Sequence, residues 1–350
     1  MIKERTIEKQ CKFFKNKIVL VTGGTGSIGS EIVRRLLKFH PKAIRIFSND
    51  ENGLFNLQQE LGHHKELRFL IGDVRDKDRL RIACQDVDIL FHTAALKHVP
   101  LCEYNPFEAV KTNVLGTQNL IEAALLENIE KFIFISTDKA VNPTSTMGAS
   151  KLLCEKLVID ACSYRGKRKT AFSCVRFGNV LGSRGSVIEV FKHQIENGGP
   201  VTITHPEMTR FVMLLSQAVD LIFKATGMAK GGEIFVLKMP ALRVIDLVDV
   251  MTQELTDKKG SSNDLIRVKV VGRRAGEKIH EEVMTVYEAE NAVDLGNMYV
   301  ILPSRNIGEN FSYYQQFKHA KVRAFTSQET RLLSKDEIRG LIKAFLKKRD

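Results

Sequence analysis

Short apolar runs alternate with helical patterns through the first half of this 350-residue chain. The runs are rich in Ile, Val and Phe and nearly continuous in hydrophobicity, which is typical of strands covered on both faces. Strands that alternate with helices form a parallel sheet. The predicted strands cover residues 17–22, 43–47, 67–71, 88–93, 131–136 and 171–177. The sequence therefore predicts an α/β fold with a doubly wound parallel sheet, and helices that include 107–128 and 148–164.

After Gly178 the pattern changes to loop-rich stretches in which Gly, Pro and Arg cluster. Helices at about 216–227 and 243–255 and a strand at 233–238 lie between these stretches. We therefore expect a second, smaller domain after the sheet domain. The predicted units are a sheet domain over 1–180 with parts of 206–238, a smaller domain over 181–205 and 239–305, and a C-terminal extension over 306–350.

The chain ends in a predicted amphipathic helix. Ser334 and Glu337 have the spacing of a capping box, and one face of the following helix is apolar: Ile338, Leu341, Ile342 and Phe345. The basic residues 347–349 would suit a helix that lies on a membrane surface. Packing on its own domain is the more common role of such a helix, and we expect it here.

The composition is that of a soluble globular protein, with 43% hydrophobic and 27% charged residues. The 53 basic and 41 acidic residues give a net charge of +12, which suits nucleic acid, anionic lipid or an anionic substrate. Because the charges are spread along the chain without a nucleic-acid motif, we expect no nucleic-acid partner. No apolar run is long enough to span a bilayer and the N-terminus lacks the apolar core of a signal peptide, so we expect a cytoplasmic protein without a transmembrane segment.

The cysteines do not indicate a metal site. They are scattered without a Cys-x-x-Cys pair, at positions 11, 84, 102, 154, 162 and 174. Buried reduced thiols are expected rather than a metal site.

The stretch "TGGTGSIG" (22–29) follows the first predicted strand directly and opens a helix. Its glycines, Gly23, Gly26 and Gly29, allow a tight turn, a close approach of backbone to pyrophosphate, and close packing of helix on strand. The first N–H groups of that helix and the positive end of its dipole suit phosphate. An ordinary structural loop is the weaker alternative, because five more strands follow. The stretch predicts a dinucleotide site of the Rossmann type, for NAD or NADP.

Three later strand ends are expected at the same edge of the sheet. "SNDE" (48–51) ends the second strand, where Asp50 can accept from a ribose 2′-hydroxyl and would disfavour a 2′-phosphate. Asp73 and Val74 follow the third strand and are placed to flank adenine, and "HTAA" (92–95) brings the backbone past the cofactor. Each of these could instead be an ordinary strand-end turn.

Further stretches carry a family likeness: "HTAALKHVP" (92–100), "NVLGTQNL" (113–120), "STDKAVNPTSTMGASK" (136–151), "RFGNVLGSRGSVI" (176–188), "HPEMTRFVM" (205–213) and "GGEIFV" (231–236). Together they resemble the extended short-chain dehydrogenase/reductase superfamily, and within it the polysaccharide-biosynthesis branch. The likeness runs from about residue 15 to about residue 305. That branch contains nucleotide-diphospho-sugar 4,6-dehydratases, chiefly those acting on UDP-N-acetylglucosamine. The resemblance implies this activity here, for surface polysaccharide or glycan biosynthesis.

Two positions depart from the family pattern. The family often has Ser-Arg-Asp-Glu where this chain has Asn49 in second place, and the missing guanidinium removes a clamp for the 2′-phosphate of NADP. In the superfamily a tyrosine stands four positions before the active-site lysine, whereas Met147 precedes Lys151 here. A thioether cannot transfer a proton. Methionine occurs at this position in a subset of the dehydratases, so an active enzyme is still expected.

The dehydratase reaction removes hydride from C4 of the sugar, eliminates water across C5 and C6, and returns the hydride to C6. By resemblance, Asp138 is the acid toward the 6-hydroxyl and Lys139 is the base at C5, while Thr137 binds the 4-hydroxyl. Lys151 would hold the nicotinamide ribose, and Met147 would pack against the cofactor or the sugar. Burial should keep Asp138 protonated and Lys139 partly neutral. An exposed Asp-Lys turn is the alternative interpretation.

The motifs and the resemblance imply two sets of binding residues. The expected cofactor-binding residues are Gly23, Thr25, Gly26, Ser27, Ile28, Gly29, Ser48, Asn49, Asp50, Asp73, Val74, Ala94, Ala95, Lys97, Asn113 and Lys151. The expected substrate-binding residues are Lys97, Asn179, Arg184, Ser186, Val187, Thr202, Thr204, Arg210, Arg273 and Glu277. The expected partner is a UDP-sugar, and no metal ion is expected. The superfamily forms dimers through the helices predicted at 107–128 and 148–164, so a homo-oligomer is also expected.

Two other functions stay open at this point. A UDP-hexose 4-epimerase shares the fold, cofactor and substrate class, but it needs no base at C5 and should keep the tyrosine. A cofactor-sensing regulator without catalysis would explain Met147, but it gives no reason for the Asp138–Lys139 pair. The sequence favours the dehydratase.

Overall fold

The computed structural model describes residues 12–257, 266–303 and 309–346, so Cys11 and the basic residues 347–349 lie outside it. The strands are β1 (Ile18–Thr22), β2 (Ala43–Ser48), β3 (Leu67–Ile71), β4 (Ile89–His92), β5 (Lys131–Ile135), β6 (Ala171–Arg176), β7 (Asn179–Leu181), β8 (Val201–Ile203), β9 (Thr209–Leu214), β10 (Ile234–Leu237), β11 (Ala241–Arg243), β12 (Val268–Val270), β13 (Glu282–Met284), β14 (Ala292–Asp294), β15 (Met298–Ile301), β16 (Lys318–His319) and β17 (Phe325–Thr326). The α-helices are α1 (Ser27–Leu36), α2 (Glu51–Leu61), α3 (Lys77–Cys84), α4 (Val99–Tyr104), α5 (Pro106–Ala109), α6 (Gly116–Leu126), α7 (Thr146–Tyr164), α8 (Val187–Glu196), α9 (Leu215–Met228), α10 (Val244–Asp257), α11 (Val286–Ala289) and α12 (Lys335–Leu346). Short 3-10 helices cover Lys12–Phe14, Leu37–Phe39, Asp138–Ala140 and Glu309–Gln316.

Within the described residues, the central sheet has ten strands in the order β3-β2-β1-β4-β5-β6-β10-β15-β14-β16. The strands from β3 to β10 are parallel, and β15, β14 and β16 are added by antiparallel pairing. The chain fills β1, β2 and β3 towards one edge and then returns to place β4 on the other side of β1. The carboxyl ends of β1 and β4 form the switch point at which doubly wound sheets bind ligands. This topology confirms the predicted fold class.

Successive side chains of β1 pack into two different hydrophobic clusters. Val19 and Val21 belong to one hydrophobic cluster and Leu20 to another, and all three side chains are fully buried. Successive side chains of a strand point to opposite faces of the sheet, so both faces of β1 are covered. That is why a continuous apolar run, rather than an alternating one, marks these strands in the sequence.

The predicted helix at 107–128 is interrupted. A π-helical segment, Val110–Leu115, joins α5 to α6. Within this segment the carbonyl oxygen of Asn113 accepts from Oγ1 of Thr117 at 2.6 Å and from Sγ of Cys154 at 3.1 Å. Side chains from α6 and α7 therefore satisfy the main chain of the wider turn.

A third hydrophobic cluster joins α8, α10 and the C-terminal helix α12. The capping box of α12 is formed: the backbone N–H of Glu337 donates to Oγ of Ser334 at 3.3 Å, and that of Ser334 donates to Oε2 of Glu337 at 3.0 Å. Ile338 and Ile342 are buried in the cluster, and Arg339 pairs with the Glu254 carboxylate of α10 at 3.0 Å. The apolar face of α12 is therefore covered by its own chain.

The sheet extends further than the sequence indicates. The sequence pattern places residues 292–301 in the smaller domain, whereas in the structure this stretch contains β14 and β15 of the central sheet. All four side chains of β15 are buried, and the strand pairs with β10 along its full length. An apolar run of this kind finds its partner only in the tertiary fold, so local sequence could not assign it to either domain.

Candidate active site

A cavity of about 730 Å³ opens at the switch point of the sheet. It is lined by the glycine-rich loop, the loop after β4, the segment after β5, the start of α7 and the segment from β7 to α8. The predicted site residues that line it are Gly26, Ser27, Ile28, Gly29, Asp50, Ala95, Lys97, Thr137, Lys139, Met147, Lys151, Asn179, Arg184, Ser186, Val187 and Arg210. Its volume lies within the range of ligand and cofactor pockets.

The glycine-rich loop leaves no room for side chains at two positions. Gly23 has a φ of +64°, and a Cβ there would lie 2.7 Å from the backbone of Ala94. A Cβ at Gly29 would lie 2.4 Å from the carbonyl oxygen of Gly23. Helix α1 begins after Gly26 without a side-chain cap. Its first N–H groups are therefore available to an anion, as a phosphate site requires.

Two of the predicted cofactor residues connect this loop to the end of β2. Thr25 and Ser48 are buried, and their hydroxyl oxygens are 2.9 Å apart. The backbone N–H of Asp50 donates to the Ser48 hydroxyl at 3.2 Å. Asp50 itself lines the cavity and caps α2, since its Oδ1 accepts from the N–H of Gly53 at 2.9 Å. Thr25 and Ser48 thus hold the loop and the strand end together rather than line the cavity.

The end of β2 and the loop after β3 share a polar cluster. Nδ2 of Asn49 donates to Oδ2 of Asp73 at 3.2 Å, and Arg75 pairs with the same carboxylate at 2.7 Å. The hydrogen bond from Arg75 lowers the pKa of Asp73. Val74 is buried against Gly116, where a Cβ would lie 2.6 Å from its side chain. This chain lacks the family's arginine at position 49, but Arg75 brings a guanidinium group to the same carboxylate that Asn49 contacts. The sequence pattern did not indicate Arg75.

Asn113 supports the cavity wall instead of lining it. Its Oδ1 accepts from the N–H of Leu96 at 2.8 Å, and its Nδ2 donates to the Leu96 carbonyl at 3.1 Å and to Oγ of Ser150 at 2.9 Å. Both amide protons are used, and the residue is buried. Asn113 thus fixes the segment that carries Ala95 and Lys97, and its predicted contact with the cofactor stays a prediction that this arrangement does not support.

The three residues after β5 form a hydrogen-bonded group. Oδ1 of Asp138 accepts from Oγ1 of Thr137 at 2.8 Å and from Nζ of Lys139 at 2.9 Å. Nζ of Lys139 also donates to Oδ1 of Asn179 at 3.3 Å. Asp138 is fully buried and does not line the cavity, whereas Thr137 and Lys139 do. Asp138 therefore reaches the cavity through its two neighbours, and the interpretation as an exposed Asp-Lys turn is wrong.

The pKa of Asp138 is shifted in the predicted direction, whereas the pKa of Lys139 is not. Burial raises the pKa of Asp138, and the nearby Glu281 raises it further. Burial lowers the pKa of Lys139, but Asp138 and Glu281 outweigh burial and raise it overall. The expectation of a lowered lysine pKa is therefore wrong, because sequence reasoning counted burial and did not count the second carboxylate.

Met147 and Lys151 begin α7 at the cavity wall. Met147 is buried and lines the cavity, so a thioether occupies the place of the superfamily tyrosine. Nζ of Lys151 donates to the carbonyl of Ile135 at 2.6 Å and lies 3.9 Å from the centre of the Phe134 ring. Burial lowers the pKa of Lys151. Among the three lysines of the described chain that line the cavity, the pKa of Lys139 is raised, whereas the pKa values of Lys97 and Lys151 are lowered.

The loop before α8 crosses the glycine-rich loop. Nζ of Lys97 donates to the carbonyl of Arg184 at 2.6 Å, and the N–H of Arg184 donates to Oγ of Ser27 at 2.9 Å. The Arg184 guanidinium also bonds to the carbonyl of Thr25. Oγ of Ser186 is buried and makes no hydrogen bond with the described residues. The predicted cofactor and substrate residues thus meet at one wall of the cavity.

Thr202 and Thr204 do not line the cavity. The Thr202 hydroxyl accepts from Nε2 of Gln194 at 2.8 Å, and the Thr204 hydroxyl lies 3.5 Å from the sulfur of Met208. Both side chains thus have partners within the fold. Their predicted contact with uracil stays a prediction that this arrangement does not support.

Arg210 lines the cavity, but its guanidinium is already engaged. It donates to the carbonyls of Thr209, Lys278 and Ile279 at 2.7, 2.9 and 3.0 Å. Glu277 lies 3.8 Å from the guanidinium, and neither Glu277 nor Arg273 lines the cavity. A cation whose donors hold the main chain offers charge to a diphosphate but few free hydrogen bonds.

Sequence reasoning also missed a set of buried charges behind the cavity. Glu281 lies 3.4 Å from Nζ of Lys139. Glu155 pairs with Arg176 at 2.6 Å, and its other oxygen accepts from the hydroxyl of Ser136 at 2.5 Å. Acidic residues inside otherwise apolar helix and strand patterns could have indicated these buried ion pairs, because charged side chains are rarely buried unless they are paired.

The family model described as polysaccharide biosynthesis protein matches residues 19–303. The chain belongs to this family. It is an extended short-chain dehydrogenase/reductase of the polysaccharide-biosynthesis branch, which confirms the resemblance found in the sequence.

Three relatives show how far the likeness extends. The uncharacterized membrane protein MJ1061 from Methanocaldococcus jannaschii is 55% identical over 331 residues, which are 95% of this chain and 96% of that protein. The capsular polysaccharide biosynthesis protein CapD from Staphylococcus aureus is 46% identical over 280 residues, which are 78% of this chain and 46% of CapD. A UDP-glucose 4-epimerase from Rickettsia typhi is 41% identical over 338 residues, which are 94% of this chain and 96% of the epimerase.

Solved structures agree with the fold of this family member. Pen from Bacillus thuringiensis has a TM-score of 0.88 and 43% identity, over 95% of this chain and 98% of Pen. The dTDP-glucose 4,6-dehydratase DesIV from Streptomyces venezuelae, solved with NAD and TYD bound, has a TM-score of 0.67 over 75% of this chain and 86% of its own. At 23% identity, the likeness to DesIV concerns the fold alone.

Cys84, Cys102, Cys154, Cys162 and Cys174 are buried free thiols. In the same ranges no group of three His, Cys, Asp or Glu side chains could hold a metal ion. None of the helices described there combines the length and the apolar character needed to cross a bilayer.

Proposed function

We propose that this protein is a nucleotide-sugar 4,6-dehydratase. It would convert UDP-N-acetylglucosamine into a UDP-2-acetamido-2,6-dideoxy-4-hexulose, with NAD or NADP regenerated in each turnover. The observation that carries the proposal is the buried Asp138, whose raised pKa keeps it protonated to higher pH, in direct contact with two residues of the cavity wall. Elimination of water needs such an acid, whereas epimerisation at C4 does not.

The residues present fit a nicotinamide dinucleotide. The uncapped start of α1, at Gly26, Ser27 and Ile28, would hold the pyrophosphate. Asp50 would bind the adenosine ribose and Lys151 the nicotinamide ribose, since both line the cavity. When bound, the cofactor supplies hydride acceptance at C4 and hydride return at C6.

The chain itself supplies the proton transfers. Thr137 lines the cavity and bonds to Asp138, so it can hold the sugar and link it to the acid that protonates the leaving 6-hydroxyl. Lys139 takes the proton from C5 once its ammonium group has lost a proton. Because burial lowers the pKa of Lys151, this amine can take the 4-hydroxyl proton that the superfamily tyrosine would take.

A UDP-hexose 4-epimerase is the second candidate. The observation in its favour is the 41% identity to a protein named UDP-glucose 4-epimerase, over 94% of this chain. Against it stands the pair of a buried acid and a cavity base, Asp138 and Lys139, which epimerisation at C4 does not need.

Incubation with UDP-N-acetylglucosamine and NAD, followed by mass spectrometry, tests the proposal. We expect a product lighter by one water, no net consumption of the cofactor, and one solvent deuterium at C5 when the reaction runs in D₂O. An isomer of unchanged mass would establish the epimerase instead. If the protein binds the cofactor but forms no product, the cofactor-sensing regulator would be the better interpretation.

We also propose a homo-oligomer formed by two copies of this chain. Several apolar side chains on α4, α5 and α7 are exposed, namely Leu101, Tyr104, Phe107 and Leu153. A second copy that brings the same helices would cover them, because isologous interfaces pair identical patches. The cytoplasmic location and the absence of a nucleic-acid partner stay predictions.

A further inference from the structure

Glu281 is a buried carboxylate that faces the cavity lysine from behind. Its side chain is 3% exposed, and Oε1 lies 3.4 Å from Nζ of Lys139 and 3.6 Å from Nε of Arg210. Its Oε2 is buried and has no hydrogen-bond partner among the described residues. Burial of a carboxylate is costly, so a charge kept here needs its cationic neighbours.

The position of Glu281 is fixed by main-chain contacts. Its N–H donates to Oγ of Ser327 at 2.8 Å, and the N–H of Ser327 donates back to the Glu281 carbonyl at 2.8 Å. The Ser327 hydroxyl is in turn 2.7 Å from Oγ1 of Thr209 in β9. Strand β9 and the C-terminal extension therefore hold the carboxylate next to Lys139.

Four charged groups surround the Glu281 carboxylate: Asp138 and Lys139 after β5, Arg210 in β9, and Lys278 before β13. Burial raises the pKa of Glu281, but Lys139, Arg210 and Lys278 outweigh burial and lower it overall. The pKa of Asp138 is raised instead. Two carboxylates whose pKa values are shifted in opposite directions can divide the roles of acid and anion. Relative to an ordinary carboxyl group, Glu281 is favoured in its ionised form and Asp138 in its protonated form, so Glu281 is the negative charge beside Lys139.

We propose that Glu281 is a positioning residue, the counter-ion that orients Lys139 and sets the pH at which its amine becomes a base. This inference rests on the proposed dehydratase function, in which Lys139 takes the proton from C5. The C5 proton is a weak acid even beside a ketone. An amine with a raised pKa is the stronger base toward it, at the cost of being neutral in a smaller fraction of molecules.

The test replaces Glu281 by glutamine, which keeps the shape and removes the charge. The titration of Lys139 is followed by NMR on protein with isotope-labelled lysine, and Lys139→Arg identifies its signal. An opposite charge at this distance shifts a pKa by about 1–3 units, so we expect the pKa of Lys139 to fall by about one unit or more in Glu281→Gln. The neutral amine is the base, so the rise of C5 deuterium exchange with pH should move to lower pH by the same amount.

Glu282→Gln is the matched control, because it removes the same charge one position along, where the carboxylate bonds to Asn142. It should leave the Lys139 titration in place. Glu281→Asp keeps the negative charge on a shorter side chain. In this variant the pKa of Lys139 should lie between its values in the parent and in Glu281→Gln. Glu281→Asp also provides the measurement if the glutamine variant does not fold. An unchanged Lys139 titration in both Glu281 variants would overturn the inference. The titration needs no turnover, so a parent enzyme that releases no water would refute the proposed function separately.

Discussion

Replacement of Asp138 by asparagine should separate the two halves of the proposed reaction. The amide has the same size, and its Oδ1 can still accept from Thr137 and Lys139, which lie 2.8 and 2.9 Å away in the parent. It cannot protonate the leaving 6-hydroxyl. Loss of one positioned acid costs about 10²–10⁴ in rate, or about 3–5 kcal/mol of transition-state stabilisation. Oxidation at C4 does not need this acid and should continue.

The assay is a single turnover with enzyme in excess over UDP-N-acetylglucosamine, followed through the absorbance of the reduced nicotinamide. Reduced cofactor should accumulate in Asp138→Asn and appear only weakly in the parent. Asp78→Asn is the control, because that carboxylate is 90% exposed on α3, remote from the cavity lining. If Asp138→Asn releases water at the parent rate without accumulation, Asp138 is not the acid.

Asp138→Asn should also change how the free energy of unfolding depends on pH. Burial raises the pKa of Asp138 in the folded state, so the folded protein holds its proton to higher pH than the unfolded chain does. The contribution of Asp138 to the parent's free energy of unfolding should therefore fall as pH rises from the ordinary carboxyl range through the raised pKa. Asp138→Asn should lose this part of the pH dependence, which urea unfolding at a series of pH values measures.

The remaining predictions concern cofactor choice and the buried ion pair. Asn49→Arg should raise kcat/KM with NADP relative to NAD, because a guanidinium pairs with the 2′-phosphate; an unchanged ratio would show that Arg75 or another cation already serves. Glu155→Gln should lower the free energy of unfolding by about 3–5 kcal/mol, because it leaves the buried Arg176 with a single carboxylate. The exposed pair of Asp249 and Lys335 gives the comparison, and its loss should lower the free energy of unfolding far less, because solvent screens an exposed ion pair.

The sheet could be predicted because its determinants are local. Residues 67–71 match β3 in full, and each of the other predicted parallel strands agrees with its observed counterpart to within one residue at either end. Each of these strands is an apolar run bounded by polar residues. The π-helical segment could not be predicted, since the carbonyl of Asn113 is satisfied by Cys154, a residue of another helix. Likewise β15 joins the sheet only because β10 offers its edge.

The site was predicted where its residues follow strands and was missed where they arrive from elsewhere. Gly26, Thr137 and Lys139 stand at or near the ends of β1 and β5, and the topology brings those ends together. Glu281 comes from a segment far along the chain, and no spacing rule connects it to Lys139. Its place depends on Ser327 and β9, which are themselves distant in sequence.

The pair of carboxylates shows why residue type alone could not assign the chemistry. Asp138 and Glu281 are both buried, both near Lys139, and of the same chemical class. Their pKa values are shifted in opposite directions because Glu281 also faces Arg210 and Lys278, whereas Asp138 faces Lys139 and the negative charge of Glu281. The protonated form is therefore favoured on the carboxyl that touches Thr137, and the ionised form is favoured on the other. A site without the superfamily tyrosine can hold an acid and a strong base side by side in this way, because a second carboxylate sets both.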